Sequence, residues 1–187
     1  MAIPGKENGL DIEGIAVGAD SHVFLGLRGP VLRGWAVVVE LAIAADARKP
    51  ARLALRRMDP RSGANARSAT YRKHFLDLGG LGIRDLRVCG RDLLLLAGPT
   101  MDLDGPFRLY RWRGGADPAG AGLVQGKALE RLFDLPASPG GDHAEGLTLL
   151  PGAKGTRDRL LVVYERVSRA RKRGASGVIG DVFVLPR

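Results

Sequence analysis

The sequence predicts an all-β fold built from small repeated sheets, and three observations carry that prediction. Short apolar runs rich in Val, Leu and aromatic residues are bounded by Gly, Pro and Asp, the pattern of strands and turns. The same order of runs recurs three times along the 187 residues. Helical periodicity is scarce, and the one stretch that passes for a helical turn or two is "ADARKPARLALRRM", Ala45 to Met58.

A first strand opens each unit: "DIEGIAV" (Asp11–Val17), "GIRDLRV" (Gly82–Val88) and "HAEGLTLL" (His143–Leu150). A short polar turn leads to a second apolar run, "VFLGLRG", "DLLLLAG" and "RLLVVYE". A longer connection precedes the third, "WAVVVEL", "FRLYRW" and "GDVFVLP". Two units carry a fourth strand leading onward, in "HFLDL" (His74–Leu78) and "RLFDLP" (Arg131–Pro136). Runs such as "LLLLAG" and "WAVVVEL" are apolar without alternation, which fits sheets covered on both faces. Four-stranded sheets packed between neighbours are the plan of a β-propeller blade.

The prediction is therefore one domain over 1–187, holding about three blades at roughly 9–78, 79–136 and 137–187. Closed propellers use ~4–8 blades. A partial propeller follows, either the C-terminal part of a longer one or a half-ring completed by a second copy. Such a half-ring would expose the apolar faces of its end blades and self-associate through them. A free-standing sandwich or open barrel of about ten strands is the alternative.

Composition narrows the setting. No apolar run approaches the ~18–20 residues of a membrane helix, and "MAIPGKENGL" lacks the pattern of a secretory signal. A cytoplasmic protein without a membrane partner is expected. The single cysteine, Cys89, permits no internal disulfide. The net charge of +9 is concentrated in Ala47–Lys73 and Arg157–Arg173, where no nucleic-acid-binding motif surrounds the arginines. That reads as a solvated basic surface with no specific nucleic-acid partner. Nucleophile-elbow, phosphate-loop, H-E-x-x-H and paired C-x-x-C motifs are all missing.

Five blocks resemble the bacterial domain-of-unknown-function family 3616: "IPGKENGLDIEGIAV", "GLRGPVLRGWAVVVEL", "HFLDLGGLGIRDLRV", "LLLLAGPTMDLDGPFRLYRWRG" and "GDHAEGLTLL". They occur in the family's order and cover nearly the whole chain, which corresponds to the C-terminal portion of a typical member. The resemblance implies a β-propeller-like fold and, for activity, very little. More distantly, the "EG" strand starts are similar to those of esterase-like phytase propellers.

Hairpin geometry then sorts candidate site residues, because adjacent antiparallel strands reverse direction. The start of a unit's first strand, the end of its second and the start of its third share one edge. The first strands supply Asp11 and Glu13, Arg84 and Asp85, and Asp142, His143 and Glu145, with Glu13, Arg84 and Glu145 at equivalent positions. The following loops add Arg28, Arg33, Asp102, Asp104 and Glu165. The opposite edge receives "GADSH", "CGR" and "PGAKGTRD", which read as plain turns.

Glu13 and Glu145 could hold calcium, a cation that takes ~6–8 oxygen ligands. Arg28, Arg33 and Arg84 could clamp an anion, and His143 could act as an acid or base. The structural counterpart is that Glu13 and Glu145 pair with Arg84 in a closing network. Gly14 and Gly146 then serve close backbone packing. "MDLDG" lacks the downstream glutamate of a calcium loop and reads as a tight turn. His22 and His74 fall far from this edge, Cys89 reads as a buried or turn residue, and Trp35 and Trp112 as blade packing.

Two functional readings remain open. One is a binding or scaffold propeller whose mixed-charge face (Asp11, Glu13, Arg28, Arg33, Arg84, Asp85, His143, Glu145) takes a small polar or anionic ligand or a protein. The other is a calcium-dependent hydrolase of phosphoesters or lactones, with Glu13 and Glu145 as metal ligands and His143 as acid–base.

Overall fold

The structure is a computed structural model that describes residues 9–58, 69–101, 103–137, 141–150 and 158–186. It is all-β, with several sheets, none of which closes into a barrel among the described residues. The helical pieces there are three single 3-10 turns, and no helix is long and apolar enough to cross a membrane.

Three antiparallel meanders follow one another. In the first, β1 (Asp11–Val17), β2 (His22–Gly29), β3 (Ala36–Ala45) and β5 (Tyr71–Leu76) are neighbours, while β4 (Leu53–Arg56) pairs with the end of β3. The second runs β6 (Gly82–Cys89), β7 (Asp92–Gly98), β8 (Arg108–Trp112) and β10 (Leu129–Asp134). Its β8–β10 connection sends β9 (Gly122–Val124) back to pair in parallel with β5, tying the first two sheets together. The third sheet has three strands: β11 (His143–Leu150), β12 (Arg159–Glu165) and β15 (Asp181–Val184). A small hairpin, β13 (Lys172–Arg173) with β14 (Gly177–Val178), rises from the connection between β12 and β15.

The absence of alternation in "DLLLLAG" has a direct cause. Leu93 and Leu95 enter the core shared with the first sheet, whereas Leu94 and Leu96 enter the core shared with the third. All four are fully buried, which stabilises the fold by roughly 1.5–3 kcal/mol apiece. Phe24, Val38 and Leu76 complete the first core, and Phe107, Leu109, Leu160 and Val162 the second.

The stretch that passes for a helix, "ADARKPARLALRRM", is instead the turn and return strand of a hairpin. Ala42 to Ala45 pair with Leu53 to Arg56, and Asp46 Oδ1 accepts from the Arg48 and Lys49 amides to hold the turn. The free edge of β3 offers backbone partners that an isolated helical turn does not, so pairing overrides local propensity. Trp35 is half-buried in an isolated bridge to Leu32 just ahead of β3, and Trp112 is buried at the end of β8.

Candidate functional site

Pairing in the first strand of each sheet is interrupted at three equivalent points. In β1, Ile12 faces Leu27 and Gly14 faces Gly26, so Glu13 is an extra, bulged residue. In β6, Ile83 faces Ala97 and Asp85 faces Leu96, which leaves Arg84 bulged. In β11, Ala144 faces Tyr164 and Gly146 faces Val163, which leaves Glu145 bulged. Arg28 is likewise skipped in β2, between Leu27 and Gly29. A bulge re-aims its side chain, and these four side chains meet.

Arg28 binds Asp11 at 2.6 Å and Glu13 at 2.8 Å. Arg84, almost wholly buried, pairs with Glu145, lies 3.6 Å from Glu13, and donates to the Pro99 carbonyl at 2.9 Å. Glu165 closes the group from the end of β12, opposite His143. Three carboxylates thus pair with two guanidiniums, and Glu165 adds a fourth negative group beside Glu145. Glu13 Oε2, Arg28 Nε and Arg84 Nε are buried with no hydrogen-bond partner among the described residues.

Charge and burial set the electrostatics. Burial pushes the Glu145 carboxyl up to about 7; Arg84 opposes this, while Glu13 and Glu165 reinforce it, Glu165 also through a hydrogen bond. Glu13 is raised for the same first reason, against Arg84 and Arg28 and with Asp11 and Glu165. One ion pair does not offset burial beside two more carboxylates.

Other candidates are placed elsewhere. The Asp85 carboxylate is committed to backbone, accepting from Leu86 N and Leu147 N at 2.8 Å each, and so staples β6 to β11; burial raises its pKa against those bonds. His143 is buried beside the cluster, with its ring 5.5 Å from Phe107 and Nε2 3.5 Å from Asp104 Oδ1. Arg33 is exposed in the β2–β3 turn at φ 52°, with no ion pair to another described residue, so it does not join the cluster. Asp142 holds Ser168 N at 2.8 Å and Arg171 Nε at 3.2 Å. Arg171 also forks onto Asp181 and stacks 3.8 Å over Tyr164, pinning the β13–β14 loop to the third sheet. Asp102 lies outside the described residues, as does most of "PGAKGTRD". Cys89 is half-buried at the end of β6, and burial pushes its thiol up.

The glycine of the first "EG" pair has a packing reason. A β-carbon there would meet Leu86 Cγ at 3.0 Å and the Asp85 backbone at 3.2 Å. The bulged glutamate reaches inward and the glycine after it lets β6 approach.

A second polar cluster is one that sequence reasoning passed over. Fully buried Glu40 binds His22 Nδ1 at 2.8 Å, His74 Nε2 at 2.9 Å and Arg72 at 3.1 Å, at the far end of the first sheet. The His74 ring tilts against Trp112 at 4.9 Å, across the junction with the second sheet. Burial alone would raise Glu40, but hydrogen bonds from His74 and His22, together with the charge of Arg72, hold it below the ordinary carboxylate value. The available signal was Glu40 itself, a lone charge in "WAVVVEL".

Among the described residues no three His, Cys, Asp or Glu side chains group in a way that could hold a metal ion. The fold and site define an all-β protein of stacked antiparallel sheets whose first-strand bulges meet in a mixed-charge cluster. Residues 1–181 match a family described as "Protein of unknown function (DUF3616)", and the chain belongs to that family. No curated protein and no solved structure matches it.

Proposed function

We propose that this protein is a non-enzymatic binding module of β-propeller type, with about three blades, that takes a cationic group at the cluster of first-strand bulges. One observation carries the reading: among the described residues Asp11, Glu13 and Glu145 pair with Arg28 and Arg84, and Glu165 adds a fourth carboxylate beside Glu145. Both guanidiniums are engaged by carboxylates, so an anion would have to displace an existing partner. A cation instead relieves repulsion that already raises Glu13 and Glu145. The binding reading is preferred to calcium-dependent hydrolysis because Glu13 and Glu145 are turned toward arginine and no three carboxylates of the described residues are arranged to hold a metal ion.

The test is thermal unfolding of the full chain with spermidine, against sodium phosphate at equal ionic strength. The expected result is a rise in Tm with a cation, larger at pH 8 than at pH 6, which Glu145→Gln diminishes. A rise with phosphate alone would overturn the reading.

A further inference from the structure

The three sheets stack in one sense. The face of the first sheet carrying Gly14, Phe24 and Gly26 lies on the face of the second carrying Leu86, Leu93 and Leu95. The opposite face of the second, with Leu94, Leu96 and Leu109, lies on the face of the third carrying Leu147, Leu160 and Val162. Every junction so far joins the same kind of leading face to the same kind of trailing face.

The first junction has a specific shape, a leucine seated on a glycine floor. A β-carbon at Gly14 or Gly26 would stand 3.0 Å or 3.1 Å from the Leu86 side chain. Counting from the bulges, Ile15 and Leu147 hold the place of Leu86, while Gly146 and Val163 hold the places of Gly14 and Gly26. Leu147 is buried against the second sheet. Its counterpart Ile15 is 60% exposed, and Val17 beside it 65%.

The third sheet's outward face is the matching floor. Val163, Val182 and Val184 stand 47%, 52% and 56% exposed there. The neighbours a β-carbon at Gly146 would meet are Val163 Cγ2 at 3.0 Å, in the same sheet, and Asp85 Oδ2 at 3.9 Å. The described stack therefore carries an exposed apolar face at each side, in the positions that meet at its inner junctions, with Val163 where the first junction has Gly26.

We propose that two copies of this chain assemble by continuing that stack, Ile15 of each seating on the Gly146–Val163 floor of the other. A two-fold axis makes both new junctions identical. Two sets of three sheets give six, inside the ~4–8 range of closed rings. The closed ring rests on the propeller reading above; the pairing of faces rests on the observed junctions.

Size-exclusion chromatography with light scattering on the full chain tests this. Wild type is expected at twice the chain mass. Ile15→Glu and Val163→Glu, both at exposed positions, should each give single copies with unchanged β circular dichroism. Mixing the two variants should restore a weaker two-copy particle, because one junction then retains both native faces. A wild-type chain at its single-copy mass overturns the proposal, as does an open polymer. A two-copy particle indifferent to both substitutions overturns it too.

Discussion

Two buried charge clusters sit at opposite ends of the first sheet and are built on opposite ratios. At Glu40 one carboxylate is surrounded by His22, His74 and Arg72. At the first-strand bulges Glu13 and Glu145 share one deeply buried guanidinium, Arg84, with Glu165 adding to the negative charge. Glu40 is fully buried and Glu13 and Glu145 largely so, and burial pushes each of these carboxyls upward. The outcome differs because surplus donors bring Glu40 down, whereas surplus carboxylates leave Glu13 and Glu145 raised. The saturated cluster serves as a fastening between strands and sheets. The undersupplied one is where the proposed cation would sit.

The largest break in this comparison is Glu40→Gln. It removes the buried negative charge beside Arg72 and leaves one acceptor oxygen where His22 and His74 now have two. Breaking a buried pair from one side costs about 3–5 kcal/mol, and that loss is expected in denaturant unfolding at pH 7. A loss below ~1 kcal/mol would show that the Glu40 cluster is not a fastening.

The next effect is a pH dependence of opposite sign at the two clusters. The folded pKa of Glu145, about 7, lies above the ordinary 4.5. Its stabilising contribution is therefore full below about pH 4.5 and fades as pH rises to about 7. At ~1.4 kcal/mol per unit the gap sets a ceiling of about 3.5 kcal/mol, and partial exposure reduces this to roughly 1–2 kcal/mol. Glu40 is lowered, so its contribution is present above the ordinary value and is lost as pH falls through its own pKa. Unfolding free energy of the wild type should decline from pH 4.5 to 7, and Glu145→Gln should flatten that decline while keeping the acid limb. An unchanged slope in the variant would remove Glu145 as its source.

Much of this was legible in the sequence because a repeat shows equivalence directly. Aligning "DIEGIAV", "GIRDLRV" and "HAEGLTLL" puts Glu13, Arg84 and Glu145 in one series, and the structure brings all three into contact. What the alignment could not show is the means. A bulge is a slip of register against a partner strand, and nothing within a single run reveals its partner's spacing. Asp85 was equally opaque, since one residue past the bulge it turns to backbone amides instead of the cluster. Arg33 failed because its turn holds it in solvent. Glu40 needed only the rule that a carboxylate in an apolar run must find partners. Those partners lie 18 and 34 residues away and meet it through strand pairing.

The smallest effect compares the two glycines of the "EG" pairs. Gly14→Ala drives a β-carbon against Leu86 Cγ at 3.0 Å and against Asp85 backbone atoms at 3.2 Å and 3.3 Å, and backbone cannot swing aside. Overpacking of this kind costs about 1–2 kcal/mol. Gly146→Ala meets chiefly the tip of Val163, an exposed side chain free to change rotamer, so it should cost less than ~0.5 kcal/mol. The clean measurement is denaturant unfolding in an Ile15→Glu background, where the proposed seat is kept empty. Equal costs there would mean that Gly146 is already packed within a single copy, and the two ends of the stack would not be complementary. In the native background a second copy seated on Gly146 should bring its cost up toward that of Gly14, because Ile15 would then press on it as Leu86 presses on Gly14.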